Sequence, residues 1–449
     1  GLLFERSDGL KDPMIYVRAI HFAATLMTVG VVFFAVFIAA PALRSAPGDT
    51  RVRAALWPKL AFIAWFSLVL AIGSGAVWLV LTAASMSGEA PSDVFSGGVL
   101  GTVLSQTHFG LAWTARFIFA CILAAILVRL LSAKPSKYWI DTVAVLAASA
   151  FAGALAWAGH AVGGQDVEAV VHPAADILHL VAGAAWVGAL VPFVLLLATV
   201  EKDETSTVIA RAAVLRFSTL GIVAVGTLLL TGIVNTWYLA GSVEALTGTY
   251  YGQLLLAKIA LFFAMVAIAA VNRQWLTPRL MRSASETERA TFGAMSQLRR
   301  NATIEAFAGG AIICIVAVLG TKAPASHADH HPAYGALPAD SAFVHIHAEQ
   351  AMADVMIEPG RVGTAHATVH LWNEDFEPLA ARDLKFSVAA PVAGSTPTTH
   401  TAVQDSDGAW QIDGLGLTQP GNWMVTVDAD LDSGSHLVLA APIVIDPAP

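Results

Sequence analysis

An eight-helix membrane bundle in two tandem four-helix repeats, followed by a C-terminal all-β sandwich, is the fold class this chain predicts, and three observations predict it. Of its 449 residues, 56% are hydrophobic and only 13% are charged, where an ordinary soluble domain has about a quarter charged. Its apolar residues gather in eight runs close to the ~20 residues that a helix needs to cross a hydrocarbon core. The charge is also divided: residues 1–322 carry 17 acids and 22 bases, and residues 323–449 carry 16 acids and three bases. Two parts of the chain therefore meet different solvents.

The apolar runs place helices 1 to 8 at 14–40, 57–84, 109–132, 138–160, 173–199, 212–240, 252–276 and 301–321. Basic residues fix their direction. The loops after helices 1, 3, 5 and 7 hold Arg44, Arg51 and Arg53; Lys134 and Lys137; Lys202 and Arg211; and Arg279, Arg282 and Arg289. The alternate loops 85–108, 161–172 and 241–251 hold no Lys or Arg, so by the positive-inside rule both termini face outward. Residues 1–13 then form an outer N-terminal segment. Cys121 and Cys314 lie inside apolar runs without a paired spacing, which excludes a disulfide scaffold or a cysteine zinc site. No P-loop or aspartyl-phosphate motif is present, and the chain reads as a non-enzyme with no affinity for nucleic acid.

Helices 1–4 (about 14–160) and 5–8 (about 173–321) repeat. His21 and His179 each stand nine residues before a glycine, Gly30 and Gly188. Phe66-Ser67 parallels Phe217-Ser218, and Phe109-Gly110 with Arg116 parallels Tyr251-Gly252 with Lys258. Counting ~1.5 Å per residue puts His21, His179, Arg116 and Lys258 in one layer roughly 10 Å below the outer surface. Ionisable side chains at such depth face a bundle interior and mark a pathway or cofactor. His172, Asp176 and His179 share one face of helix 5, Arg18 and His21 one face of helix 1, and His108 and His160 lie at the outer mouth. Imidazole with Met or Cys sulfur suits copper, with Asp176 supplying charge and Arg18, Arg116 and Lys258 as charge partners. Two histidines at equal depth also suit a b-type haem, with cations for its propionates. A membrane scaffold that docks onto a respiratory complex is a third possibility.

Residues 322–341 read as a His-rich linker with His327, His330 and His331. From 342 to 449, seven alternating segments (343–348, 364–372, 384–389, 399–404, 409–413, 422–428 and 435–445) separated by Gly turns suggest an antiparallel β-sandwich. His345 and His347 fall on one strand face. With Met352, Met356 and the linker histidines they form a candidate outer copper-capturing site.

Arg18-x-x-His21 with Gly30, His179 with Trp186-Val187-Gly188, Phe217-Ser218, and Tyr251-Gly252 with Lys258 resemble the copper-resistance protein D family over about residues 10–322. The resemblance implies a bacterial inner-membrane protein that moves copper in from the periplasm, often beside a periplasmic copper chaperone of the CopC type, with His21 and His179 as the transport positions. The segment with Glu358-Pro359-Gly360 and Pro420-Gly421-Asn422-Trp423 is similar to YtkA/FixH-type periplasmic β-domains, which implies that it stands on the periplasmic side.

Overall fold

The computed structural model of the chain describes residues 12–47, 50–87, 91–95, 99–132, 137–158, 168–200, 204–240, 243–281, 288–321, 338, 340–348, 351–373, 378–390, 396–432 and 434–448. It divides into a helical unit and a C-terminal β unit.

Among the described residues, seven helices are long and apolar enough to cross a membrane: Pro13–Leu43 (helix 1), Arg51–Ala84 (helix 2), Phe109–Leu130 (helix 3), Val170–Thr199 (helix 5), Thr205–Tyr238 (helix 6), Tyr250–Met281 (helix 7) and Phe292–Leu319 (helix 8). Helix 4 departs from the expected 138–160. Its α-helix, Tyr138–Gly153, has 16 residues and reaches only ~24 Å at 1.5 Å per residue. It closes at Gly153, the residue that most weakens a helix after proline, and a single 3-10 turn at Ala156–Ala158 follows. Short helices at Val99–Gln106 and Val243–Gly248 occupy loops that hydropathy leaves blank. They strengthen the internal duplication, because each leads into a threonine cap. Thr107 Oγ1 accepts from the Gly110 amide and Thr249 Oγ1 from the Gly252 amide, both at 2.9 Å, which satisfies an otherwise orphaned donor at the start of helices 3 and 7.

Lipid inverts the usual burial pattern. Helices 6 and 7 leave Leu230, Ile233, Trp237 and Phe263 outward, as a surface solvated by hydrocarbon permits. Helices 1 and 5 are the buried pair, with 67% and 61% of their apolar windows inside. They meet backbone to backbone. A Cβ on Gly30 would lie 2.1 Å from the carbonyl carbon of Gly188, and one on Gly188 would lie 2.0 Å from the Leu26 carbonyl oxygen. Without a hydrophobic drive between helices in lipid, such small-residue crossings supply the packing. Helices 4 and 8 flank the pair. Gly153 rests on Ile177 and Gly309 on Val187, both on helix 5.

The described residues of the β unit form nine strands in two antiparallel sheets, ordered β1-β2-β3-β7-β6 and β5-β4-β8-β9. The strands are Ala342–Ala348, Ala351–Glu358, Gly363–Trp372, Ala381–Ala389, Thr398–Thr401, Val403–Gln404, Trp410–Leu417, Gly421–Leu431 and His436–Ile445. The seven-strand expectation lacked β2 and ran β5 and β6 together as one segment, 399–404. β2 escapes the alternation test because Met352, Asp354 and Met356 are buried on one face and Ala353, Val355 and Ile357 on the other. Phe386, Trp410, Val425 and Leu439 fill the space between the sheets.

The crossing of helices 1 and 5 gives the first prediction. Gly30→Ala should lower the thermal midpoint of the detergent-solubilised protein by the equivalent of about 2 kcal/mol of overpacking. Gly73→Ala, where a Cβ meets nothing within 4 Å, should leave it unchanged. Equal midpoints would show that the two backbones do not touch.

Candidate functional site

His21 projects from helix 1 with 1% of its surface exposed. Ser74 on helix 2 and Arg116 on helix 3 hold its ring. Nδ1 lies 3.1 Å from Ser74 Oγ, and Arg116 Nη2 donates to Nε2 across 2.8 Å. A guanidinium can only donate, so Nε2 is the unprotonated nitrogen and Nδ1 carries the hydrogen. Ser74 agrees with this tautomer, because its own hydroxyl donates to the Leu70 carbonyl at 2.6 Å and leaves its oxygen to accept. Arg116 also donates to Thr25 Oγ1 at 3.2 Å and to the Phe151 carbonyl. Trp78 and Trp113 wall the imidazole, with ring centroids 5.5 and 5.1 Å away. The lone pair that a metal would need is therefore held by a guanidinium. Arg18 lies over the Trp78 and Phe22 rings, 4.7 and 5.6 Å from their centroids.

The second repeat reproduces half of this device. His179 Nδ1 lies 2.9 Å from Thr231 Oγ1, and the Thr231 hydroxyl donates to the Thr227 carbonyl at 2.7 Å. Its oxygen is thus left to accept from Nδ1–H, and the lone pair falls on Nε2. In the place of Arg116 stands Lys258, within electrostatic reach of His179 and Asp176, with no hydrogen bond from its ammonium to the described residues. Further along helix 5, Asp176 Oδ1 accepts from Asn235 Nδ2 at 2.6 Å, and its other oxygen stands 4.0 Å from His172 Nε2. The His172 ring stacks on Tyr238 at 4.9 Å. Helix 5 thus presents one continuous polar face with its partners on helix 6, as the i, i+4, i+7 spacing requires.

His21 and His179 are each bound within their own repeat rather than to each other. Among the described residues, no group of three or more His, Cys, Asp or Glu side chains is placed to hold a metal ion. His160, His327, His330 and His331, and the side chains of His108 and His347, lie outside the described residues. Cys121 and Cys314 are exposed, so neither thiol lies beside the buried His21 ring. A haem with two imidazole ligands needs both lone pairs free, and Arg116 holds the one on His21.

On the β unit, strand register lines up three rows across β1, β2 and β3: Phe343, Met356 and Thr368; His345, Asp354 and His370; His347, Met352 and Trp372. This face points away from the sandwich core. Asp354 ties it together, with Oδ1 2.6 Å from His345 Nδ1 and Oδ2 accepting from Trp372 Nε1 at 3.0 Å. Met352 and Met356, expected at an open capture site, are 1% and 7% exposed. His370, which shares a strand face with His366 by spacing but was not among the expected capture residues, stacks on Trp372 at 5.9 Å and joins this row.

Hydropathy also passes over Glu305. Helix 8 buries it to 1% exposure, and its Oε1 accepts from Asn272 Nδ2 on helix 7 at 2.8 Å. The signal available in the sequence is one acid inside an apolar run, with an asparagine four residues before it.

Comparison with known proteins agrees with this architecture. Residues 10–170 match the family described as "Copper resistance protein D-like, N-terminal domain", and residues 211–319 match "Copper resistance protein D". Copper resistance protein D of Pseudomonas syringae pv. tomato is 31% identical over 319 residues, which cover 70% of this chain and 98% of that protein. Inner membrane protein YebZ of Escherichia coli K12 is 30% identical over 316 residues, 69% of this chain and 98% of its own. Copper transport protein CutJ of Bacillus subtilis is 28% identical over 256 residues, 57% of this chain and 45% of its own.

Two predictions follow from these geometries. His21→Ala strands a buried guanidinium and should destabilise the protein by about 2 kcal/mol, whereas His179→Ala strands nothing, since Thr231 keeps its carbonyl bond; thermal midpoints in detergent that are lowered equally would contradict the different bonding of the two rings. On the β unit, burial holds the His370 imidazole below its ordinary value of 6.5 and outweighs the pull of Asp354 and Asp405. Above that value folded and unfolded chains are both neutral at this group, and below it the unfolded chain takes the proton first, so stability is lost as pH falls. Protection factors of β3 amides in the full chain, which divide out the slowing of intrinsic exchange as pH falls, should therefore decline from about pH 7 to about pH 5.5, and less steeply in His370→Gln. Identical pH slopes would remove His370 as the cause.

Proposed function

Because the chain belongs to the copper resistance protein D family, we propose that it carries copper across the bacterial inner membrane, from the periplasm inward, through the polar layer of its helical bundle. The observation that carries this proposal is His179. Thr231 fixes its ring and tautomer through Nδ1 and leaves Nε2 as a neutral imidazole donor of the kind transition metals take. Asp176 offsets the charge of Lys258 beside it. Copper passes from the His172 and Asp176 pair at the head of helix 5 to His179. His21 joins as a ligand when Arg116 gives up Nε2.

The absence of Lys and Arg from loops 85–108, 161–172 and 241–251 supports periplasmic termini and a periplasmic β unit. There the linker histidines His327, His330 and His331 and the face bearing His345, His347, Met352 and Met356 gather copper, received from a separate chaperone of the CopC type. Histidine with thioether sulfur binds copper in either oxidation state.

Copper uptake into proteoliposomes tests the path. His179→Ala should abolish it. Thr231→Val, which removes only the outer partner of the ring, should slow it about tenfold, as loss of a supporting hydrogen bond does for a metal-binding histidine. Uptake at the unmodified rate in His179→Ala would refute the route.

A further inference from the structure

The helical unit contains a second buried polar station, far from the histidines and unused by the copper path described above. Glu305 on helix 8 is 1% exposed and ends a directional chain of side-chain amides. Gln297 Nε2 donates to Asn301 Oδ1 at 2.9 Å, Asn301 Nδ2 to Asn272 Oδ1 at 2.6 Å, and Asn272 Nδ2 to Glu305 Oε1 at 2.8 Å. Every donor points toward the carboxyl group. Asn272 opens a π-helical turn, Asn272–Leu276, a rare wide turn often found at functional positions. Thr277 Oγ1 donates to the Asn272 carbonyl at 2.9 Å and holds that turn in place.

No cation balances Glu305 among the described residues. On the elements packed against helix 8, Arg18 and His21 of helix 1, His172, Asp176 and His179 of helix 5, and Lys258 of helix 7 lie toward the opposite end of the bundle. Arg273 is turned to Ser218 Oγ at 2.7 Å, Arg279, Arg299 and Arg300 are exposed, and Arg211 on helix 6 donates to the Leu280 carbonyl at 2.8 Å. Glu305 stands six residues beyond Arg299, ~9 Å along the helix, on the side where the basic loops lie. A bare carboxylate there, with one amide donor and no counter-charge, costs several kcal/mol, and a neutral carboxylic acid does not. The first repeat has no such group. The run Glu305-Ala306-Phe307-Ala308-Gly309 corresponds to Ser149-Ala150-Phe151-Ala152-Gly153 in helix 4, so the acid is a departure from the duplicated pattern rather than part of it.

We propose that Glu305 is an intramembrane proton-binding site whose proton is exchanged against cation occupancy of the bundle. At rest Glu305 is the carboxylic acid. When a copper cation enters, the O–H bond breaks, the proton passes to water at the basic-loop side, and the carboxylate that remains balances the added charge. Asn272 supplies the hydrogen bond that the anion needs, and the amide chain behind it polarises toward it. Linkage is reciprocal, so copper occupancy expels the proton and raising the pH favours copper. The coupling rests on the copper path proposed above, whereas the proton site does not.

Infrared difference spectra of the full chain in lipid, without copper, test the site. At neutral pH the unmodified protein should show a protonated-carboxyl C=O band that Glu305→Gln loses and Glu305→Asp shifts, with Asp176→Asn as the control for the other buried acid. If Glu305→Gln does not assemble, the shift in Glu305→Asp decides. Unchanged band intensity in Glu305→Gln, or an unshifted band in Glu305→Asp, overturns the proposal. Adding copper to proteoliposomes that contain a pH dye should release protons in proportion to the copper taken up, and Glu305→Gln, which lacks the balancing charge, should take up copper more slowly and release fewer protons for each ion. Equal release from both overturns the coupling. If neither takes up copper, the transport proposal fails while the infrared result still decides the proton site.

Discussion

The approach of the Gly30 and Gly188 backbones sets the geometry on which everything else in the helical unit depends. Only glycine leaves room for it, since a Cβ on either residue would fall within 2.1 Å of the other helix. Once helices 1 and 5 are locked at that point, the histidine nine residues before each glycine takes a matching position on each helix, ~14 Å along from the crossing. Each ring then turns to the second helix of its own repeat, where Ser74 or Thr231 waits. Helices 4 and 8 complete the packing around helix 5 through Gly153 and Gly309, again by omission of a side chain. In lipid, where apolar surfaces gain little by leaving the solvent, a bundle built on four glycines is held by close contact and by its internal hydrogen bonds.

The two repeats spend their polar groups differently. A side chain buried in hydrocarbon must find its partners inside the protein, and in the first repeat the terminal nitrogens of Arg116 do so, although its Nε does not: Arg116 caps His21, reaches Thr25 and Phe151, and sits among Trp113 and Phe151 rings. In the second repeat Lys258 has a single compact ammonium in place of a planar fork and bonds to none of the described residues. The same ancestral arrangement thus gives a closed station and an open one. The open one carries the additional polar residues, Asp176, Asn235 and His172 outward and Glu305 with its amides inward.

What the sequence makes legible follows from the range of the interaction. Hydropathy and basic-loop asymmetry are local or averaged signals, and they located the spans, the division at the linker and the matched His, Arg and Lys positions. Helix 4 fell short because an alanine and glycine run is apolar whether or not it stays helical. The partners of His21 lie 53 and 95 residues away along the chain, so neither its tautomer nor its occupied lone pair could be read from spacing. Met352 and Met356 looked like surface ligands because β2 has two buried faces and no alternation. Glu305 was hidden by its neighbours: it follows Arg299, Arg300 and Asn301, which read as the polar end of helix 8, and only the fold shows that the helix begins well before them.

Charge constrains how a cation could occupy such a bundle. Arg18, Arg116 and Lys258 line the outer half of the interior, and a monovalent cation 4 Å from one of them is opposed by about 4 kcal/mol at an effective dielectric constant of 20. Asp176 offsets one of these charges and no more. Binding at the His179 layer must therefore come from the Nε2 lone pair, a covalent-like interaction available to copper and unavailable to sodium or potassium, which makes the outer station selective by chemistry instead of by charge. Further inward no histidine is described and the surroundings are amide oxygens and a carboxyl group, which can compensate charge but cannot grip a soft metal. On the path proposed above, selectivity would reside with His179 on helix 5 and charge balance with Glu305 on helix 8, two stations held by different partners.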